Sequence, residues 1–81
     1  MSEARDVVEA IAKALADHPA QVRVTEAEHR GQVVVELFMA PGDLGRVIGR
    51  QGRTANAIRL LAGLAGEQAG QKVNVEFRDA E

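Results

Sequence analysis

Cysteine, tryptophan and tyrosine are absent from the 81 residues, and phenylalanine occurs only twice, as Phe38 and Phe77. Without cysteine there is no disulfide framework and no thiolate metal site, and a reducing cytoplasm is the natural compartment. With two aromatic rings in all, base stacking on aromatic platforms is not expected to be the main way of holding a nucleic acid. Long apolar runs are missing too. The N-terminus, MSEARDVVEA, carries acids early and reads as neither a signal peptide nor a membrane span. Nor is there a surplus of positive charge: ten Lys and Arg face twelve Asp and Glu, a formal net charge of −2. That balance argues against coating nucleic acid by bulk charge, so any such contact has to be local.

What is present fits one domain over residues 1–81, a layer of helices on one small sheet. So short a chain buries a modest core, and a partner or a second copy is a natural source of added stability. Residues 3–16 read as an amphipathic helix with Ser2 as N-cap, Glu3 and Asp6 in the first turn, and an apolar stripe of Val7, Val8, Ile11, Ala14 and Leu15. Asp17-His18-Pro19 ends it, because the residue before proline is pushed out of the helical region. Residues 21–27 alternate as a half-buried strand, residues 28–31 turn with Gly31 free to take positive φ, and residues 32–39 read as the central, β-rich strand. Pro41-Gly42 breaks that strand. Asp43 is then expected to N-cap a short helix through Ile48, followed by a helix over about 54–65, a polar loop at 67–71 and a last strand at 72–78. The first two strands are close enough to pair antiparallel. Two helices separate the second from the third, long enough a connection to make them parallel neighbours.

The chain is organised around residues 43–66. Arg46, Arg50, Arg53 and Arg59 fall there, and no acid lies between Asp43 and Glu67. The G-x-x-G spacing occurs three times, at Gly42/Gly45, Gly49/Gly52 and Gly63/Gly66, and about one such pair is expected by chance at this glycine content. Only the middle pair has apolar residues before it, an arginine inside it and a helical pattern after it. It suggests a positively charged, backbone-lined notch between two helices, suited to phosphate. On the helix that follows, the apolar positions span roughly 220° of the wheel, about twice what packing on one sheet needs. The surplus is expected to meet the preceding helix or another subunit, with at least one of Leu60, Leu61 and Leu64 in the core.

Val47-Ile48-Gly49-Arg50-Gln51-Gly52 resembles the V-I-G-x-x-G signature of KH domains. The order α-β-β-α-α-β is similar to the type II KH fold, an α+β domain with a three-stranded mixed sheet and its helices packed on one face. Pro41 and the run Asp43–Thr54 resemble, more closely, the small bacterial single-KH proteins of the KhpA type, and the likeness covers essentially the whole chain. It implies single-stranded RNA binding, with the loop clamping the backbone and bases in an adjacent groove. Gly49 and Gly52 would let the chain approach phosphates, Arg50 and Gln51 would point outward, and Arg53 and Thr54 would add to the anion site at the helix start. Ile48 would wall the groove and Arg46 flank it. The resemblance further implies a homodimer, or a heterodimer with a larger KH protein of the KhpB (Jag) type, for which Leu60, Leu61 and Leu64 are the interface candidates. It also implies post-transcriptional or RNA-chaperone work linked to cell shape.

Other chemistry finds no support in the residues. His18 and His29 lie in expected turns without cysteine or clustered carboxylates, so neither metal binding nor general-base catalysis is expected. Glu26, Glu28 and Glu36 form no catalytic pair. Residues 45–54 lack the lysine and spacing of a Walker A loop, and there is no G-x-G-x-x-G. The expectation is therefore a cofactor-free binding protein and no enzyme. The alternative is a KH-fold protein-interaction module, and the sequence does not discriminate RNA from single-stranded DNA.

Overall fold

The computed structural model describes residues 2–80. Six main elements follow in the order α1 (Glu3–Leu15), β1 (Arg23–His29), β2 (Gln32–Met39), α2 (Pro41–Ile48), α3 (Arg53–Gln68) and β3 (Lys72–Asp79). The sheet runs β1-β2-β3, with β1 antiparallel and β3 parallel to the central β2. This is the expected α+β arrangement, three strands in a mixed sheet. On β2, Val33, Val35, Leu37 and Met39 are buried in strict alternation and meet Val8 and Ala12 of α1, Val47 of α2, and Ile58 and Ala62 of α3. The helices therefore share one face of the sheet, and each fully buried large side chain there contributes about 1.5–3 kcal/mol.

Several boundaries moved for identifiable reasons. A single 3₁₀ turn at Pro19–Gln21 occupies the expected start of β1, which instead reaches His29. Only Arg30 and Gly31, at φ 53° and 79°, remain in the turn. Two consecutive positive φ values match the twist of a tight hairpin, so the strands extend to either side of it. α3 includes Glu67 and Gln68, assigned to a loop by their polarity, and ends only where Gly70 turns left-handed at φ 72°. In α1 the buried line is Ala4, Val8 and Ala12, with Ile11 packed against the core, while Ala14 and Leu15 are exposed. The expected stripe was centred on the larger side chains; small alanines allow the close approach and carry the contact.

Asp43 is the sharpest correction. It is not the N-cap of α2. Ala40 holds that position, Pro41 starts the helix with its φ preset, and Asp43 lies in the first turn, 3% exposed. Its carboxylate accepts the backbone N–H of Asp17 at 3.1 Å and of His18 at 2.9 Å, with the His18 imidazole Nδ1 at 3.3 Å. One buried carboxylate thus fastens the segment after α1 to the start of the helix that carries the loop. Ser2, by contrast, caps α1 as expected, its Oγ accepting from the Arg5 N–H at 3.0 Å.

Burial alone would raise the pKa of Asp43, but the amides of His18 and Asp17, helped by the His18 ring, more than offset it and hold the group below its usual value. A carboxyl whose folded pKa is depressed stabilises the fold above its unfolded pKa, about 3.9, and loses that contribution as pH falls through the folded value. Asp43→Asn is expected to be less stable than wild type at pH 7 and to lose less stability on acidification below about pH 4. Denaturant titrations at pH 7 and pH 3 read both. Equal acid losses in the two proteins would show that the latch does not carry this charge.

Candidate nucleic-acid interface

The segment between α2 and α3 is a loop closed on itself. Gly49 N–H donates to the Gly45 carbonyl at 3.0 Å, Gly52 N–H to the Gly49 carbonyl at 3.2 Å, and Arg53 N–H to the Arg50 carbonyl. Three of its residues need positive φ: Gly49 at 75°, Gln51 at 58° and Gly52 at 73°. The two glycines answer different constraints. Gly49 has ψ 173°, and a Cβ built on it would lie 2.5 Å from Thr54 Oγ1. Gly52 is left-handed at ψ 14°, and a Cβ there would meet nothing within 4 Å. Gly49 is held by conformation and close approach, Gly52 by conformation alone.

The result is a sharp, exposed knuckle. Arg50, Gln51 and Arg53 are exposed on it, with Arg53 Nη2 donating to Gln51 Oε1 at 3.2 Å. No side chain caps the first turn of α3, so its orphan N–H groups and the positive end of the helix dipole lie beside the loop. Thr54 packs its side chain against Gly49. Ile48 lies exposed at the end of α2.

Arg46 stands one turn before Gly49 and is already engaged. Its Nη1 lies 2.9 Å from Asp17 Oδ1 and its Nη2 2.9 Å from Asp17 Oδ2, a two-pronged guanidinium–carboxylate pair on the surface. Sequence reasoning missed Asp17 because it is 29 positions away, and no local pattern marks a partner so distant. Arg59 is exposed and lies with its guanidinium 4.9 Å over the ring of Phe77. Phe38 has Arg23 over it at 4.5 Å. Each of the two aromatic rings is thus covered on one face by a cation, the geometry of a cation–π contact.

The exposed leucines overturn one expectation. None of the three is core: Leu60, Leu61 and Leu64 are 64%, 47% and 49% exposed. The buried line of α3 is Ala55, Ile58, Ala62 and Gly66, small enough that the helix reaches the sheet without them. α3 therefore carries an apolar outer face with no cover among the described residues.

Comparison with known proteins follows this geometry. A family model described as KhpA/KhpB, KH domain matches residues 5–77. RNA-binding protein KhpA of Aquifex aeolicus is 46% identical over 77 residues, 95% of this chain and 98% of that protein. RNA-binding protein KhpA of Bacillus subtilis is 40% identical over 74 residues, 91% of each. Among solved structures, Era in complex with MgGDPNP and nucleotides 1506–1542 of 16S ribosomal RNA superposes with a TM-score of 0.63 at 22% identity, covering 94% of this chain and 29% of that one. At that identity the likeness speaks for the fold.

Proposed function

This chain belongs to the KhpA/KhpB KH-domain family, and on that premise we propose that it binds single-stranded RNA without catalysis, as one domain, through the knuckle at Gly49–Gly52. The observation that carries the reading is the loop itself: a self-closed turn, free of acids, that presents Arg50, Gln51 and Arg53 beside an uncapped helix start. Such a surface meets phosphate oxygens with charge and N–H donors while its glycines keep Cβ atoms out of the way. Ile48 supplies an apolar wall for bases, and Thr54 keeps the loop closed from behind. Arg46 contributes less than its charge suggests, since a phosphate reaching it has to displace Asp17. The relatives are named RNA-binding proteins, which agrees.

Pairing belongs to the same proposal. The uncovered face of α3 with Leu60, Leu61 and Leu64 is where a second copy, or a larger KhpB-type KH protein, would seat. A lone surface of this size touches few nucleotides, so linking two raises the affinity for one strand. Work on RNA in the cytoplasm, regulating transcripts or chaperoning them, follows from that reading. No helix among the described residues is long and apolar enough to cross a membrane.

The test is a titration of isotope-labelled protein with short single-stranded RNA, followed by backbone amide shifts at low salt, with the particle mass read by light scattering on the same sample. Shifts concentrated at residues 49–54 and a dimer mass are expected. An unresponsive loop with a dimer mass would favour a protein-interaction module. An equal response to single-stranded DNA would remove RNA as the specific ligand.

A further inference from the structure

Each lysine and arginine of the chain can be placed by what its charge meets. Among the described residues, Arg5, Lys13, Arg46 and Arg78 are paired with carboxylates. Arg23 and Arg59 lie over the two phenylalanine rings. The cations left with neither an acid nor a ring against them fall at two places. Arg50 and Arg53 are at the knuckle, and Arg30 and Lys72 are at the far end of α3. That second pair lines a single cleft of about 490 Å³, together with His29, Gly31, Gln32 and Gly70.

Two left-handed turns build the cleft. Arg30 and Gly31 close the β1–β2 hairpin, and Gly70 ends α3. The Lys72 N–H donates to the Gly31 carbonyl at 2.9 Å and ties one turn to the other, while the register sets His29 beside Gln32 and Gln32 beside Lys72. Cations near a helix end ordinarily serve its last carbonyls. Here the Gly66 carbonyl accepts from the N–H groups of Ala69 and Gln71, and the Glu67 carbonyl from that of Gly70, so those acceptors are already served. Nor do neighbouring acids cancel the charge. No acid lines the cleft. Glu28 alternates to the other face of β1 from His29, and its carboxylate accepts from the Gln71 amide. On the helix-free face of the sheet the adjoining row is Ala27, Val34 and Asn74, and Glu36 and Glu76 beyond it are both held by Arg78.

We infer that this cleft is a second phosphate site, where Arg30 and Lys72 hold the backbone of an RNA whose other part lies at the knuckle. The inference rests on the RNA-binding reading above. The 16 residues of α3 separate the two sites by about 24 Å, at 1.5 Å per residue. At about 3.4 Å per stacked nucleotide, roughly seven nucleotides cover that distance. A tetramer therefore reaches one site, and a longer strand reaches both. Two exposed cations meet phosphate by charge, so this contact reads length and not base sequence. Neither has a carboxylate to displace, and each adds to the salt dependence of binding more than Arg46 does. An acidic protein segment would also satisfy two cations. RNA is favoured over it because a strand already held at the knuckle presents its further phosphates to the cleft at high effective concentration.

The experiment titrates oligouridines of four and of sixteen nucleotides into the full chain over a series of salt concentrations, in wild type and in the double variant Arg30→Gln, Lys72→Gln. Both side chains are exposed, so the variant is expected to fold, and a thermal melt checks it. Tetramer binding is expected to be unchanged. The longer RNA is expected to bind at least about tenfold more weakly at low salt, with the slope of log affinity against log salt reduced by about 1.4, two contacts at about 0.7 each. Backbone amides of wild type supply a reading that needs no variant: residues 29–32 and 70–72 are expected to shift with the longer RNA and not with the tetramer. An unchanged slope in a folded variant overturns the site, and so does an equal loss at both lengths, which marks bulk charge. Polyglutamate that shifts these amides where the longer RNA does not would assign the cleft to an acidic protein partner and overturn the inference. If wild type binds neither RNA, the RNA reading itself has failed and the second site with it. That outcome is distinct from a tetramer that binds and a longer strand that gains no salt dependence.

Discussion

Replacing Arg50 and Gln51 together by aspartate is expected to weaken single-stranded RNA binding about a hundredfold, roughly 2.7 kcal/mol, while leaving the fold intact. Three effects act in one direction. The positive charge at the tip of the loop becomes negative, a hydrogen-bonding amide becomes a like charge facing phosphate, and Arg53, which already donates to the residue 51 side chain, is drawn into an ion pair with it. The fold tolerates the change because both side chains are exposed. Gln51 is moreover left-handed at φ 58°, a conformation that aspartate adopts more readily than glutamine. Anisotropy titration at fixed low salt measures the loss, and a thermal melt shows whether the domain is unharmed. Unchanged affinity in a folded double variant would sink the site assignment.

The largest effect on stability is expected from Gly49→Ala. At φ 75° and ψ 173° Gly49 occupies a region that is essentially glycine's alone, at a cost of order 1–3 kcal/mol for any other residue. The new methyl would also lie 2.5 Å from Thr54 Oγ1 and 2.9 Å from Thr54 Cβ, in a helix that cannot yield without moving α3. A total near 3 kcal/mol is expected, a drop of about 15 °C in melting temperature for a domain of this size. Gly52→Ala provides the contrast: the same sign of φ, open space around the methyl, and a cost of about 1–2 kcal/mol. Denaturant titration of both variants measures the difference. If the Gly52 change proved the costlier, the close approach to Thr54 would not be what fixes Gly49.

The features legible in the sequence were those written over a few neighbouring residues. The alternation Val33, Val35, Leu37 gave β2, the two-helix connection gave the parallel β2–β3 pair, and Val47–Gly52 gave the knuckle with its flanking helices. What stayed hidden was decided by residues far apart. Asp43 looks like a helix cap because acids often are, but its partners, the amides of Asp17 and His18, come from the segment after α1, 26 and 25 positions earlier, and carry no local mark. The facing of α1 was legible in part: Val8 and Ile11 do meet the core, but Ala4 and Ala12 were missed because alanines register weakly in a hydrophobic pattern. At least one leucine of α3 is expected in the core from the width of its apolar arc, whereas the buried line of the helix is Ala55, Ile58, Ala62 and Gly66.

The pair of Arg46 with Asp17 has a consequence for how binding responds to electrolyte. When an arginine meets a phosphate, the cation condensed on that phosphate is released into solution, and that release is what makes affinity fall with salt. Arg46 has instead a counterion supplied covalently by its own chain, held in a two-point grip. A strand that reaches it still gives up its condensed cation, but Asp17 has to let go and then attracts a cation of its own, so the net release from this contact is smaller. The protein thereby holds one of its arginines in reserve: available to a ligand whose geometry outcompetes the carboxylate, and a smaller contributor to the salt dependence of binding than an arginine without a partner.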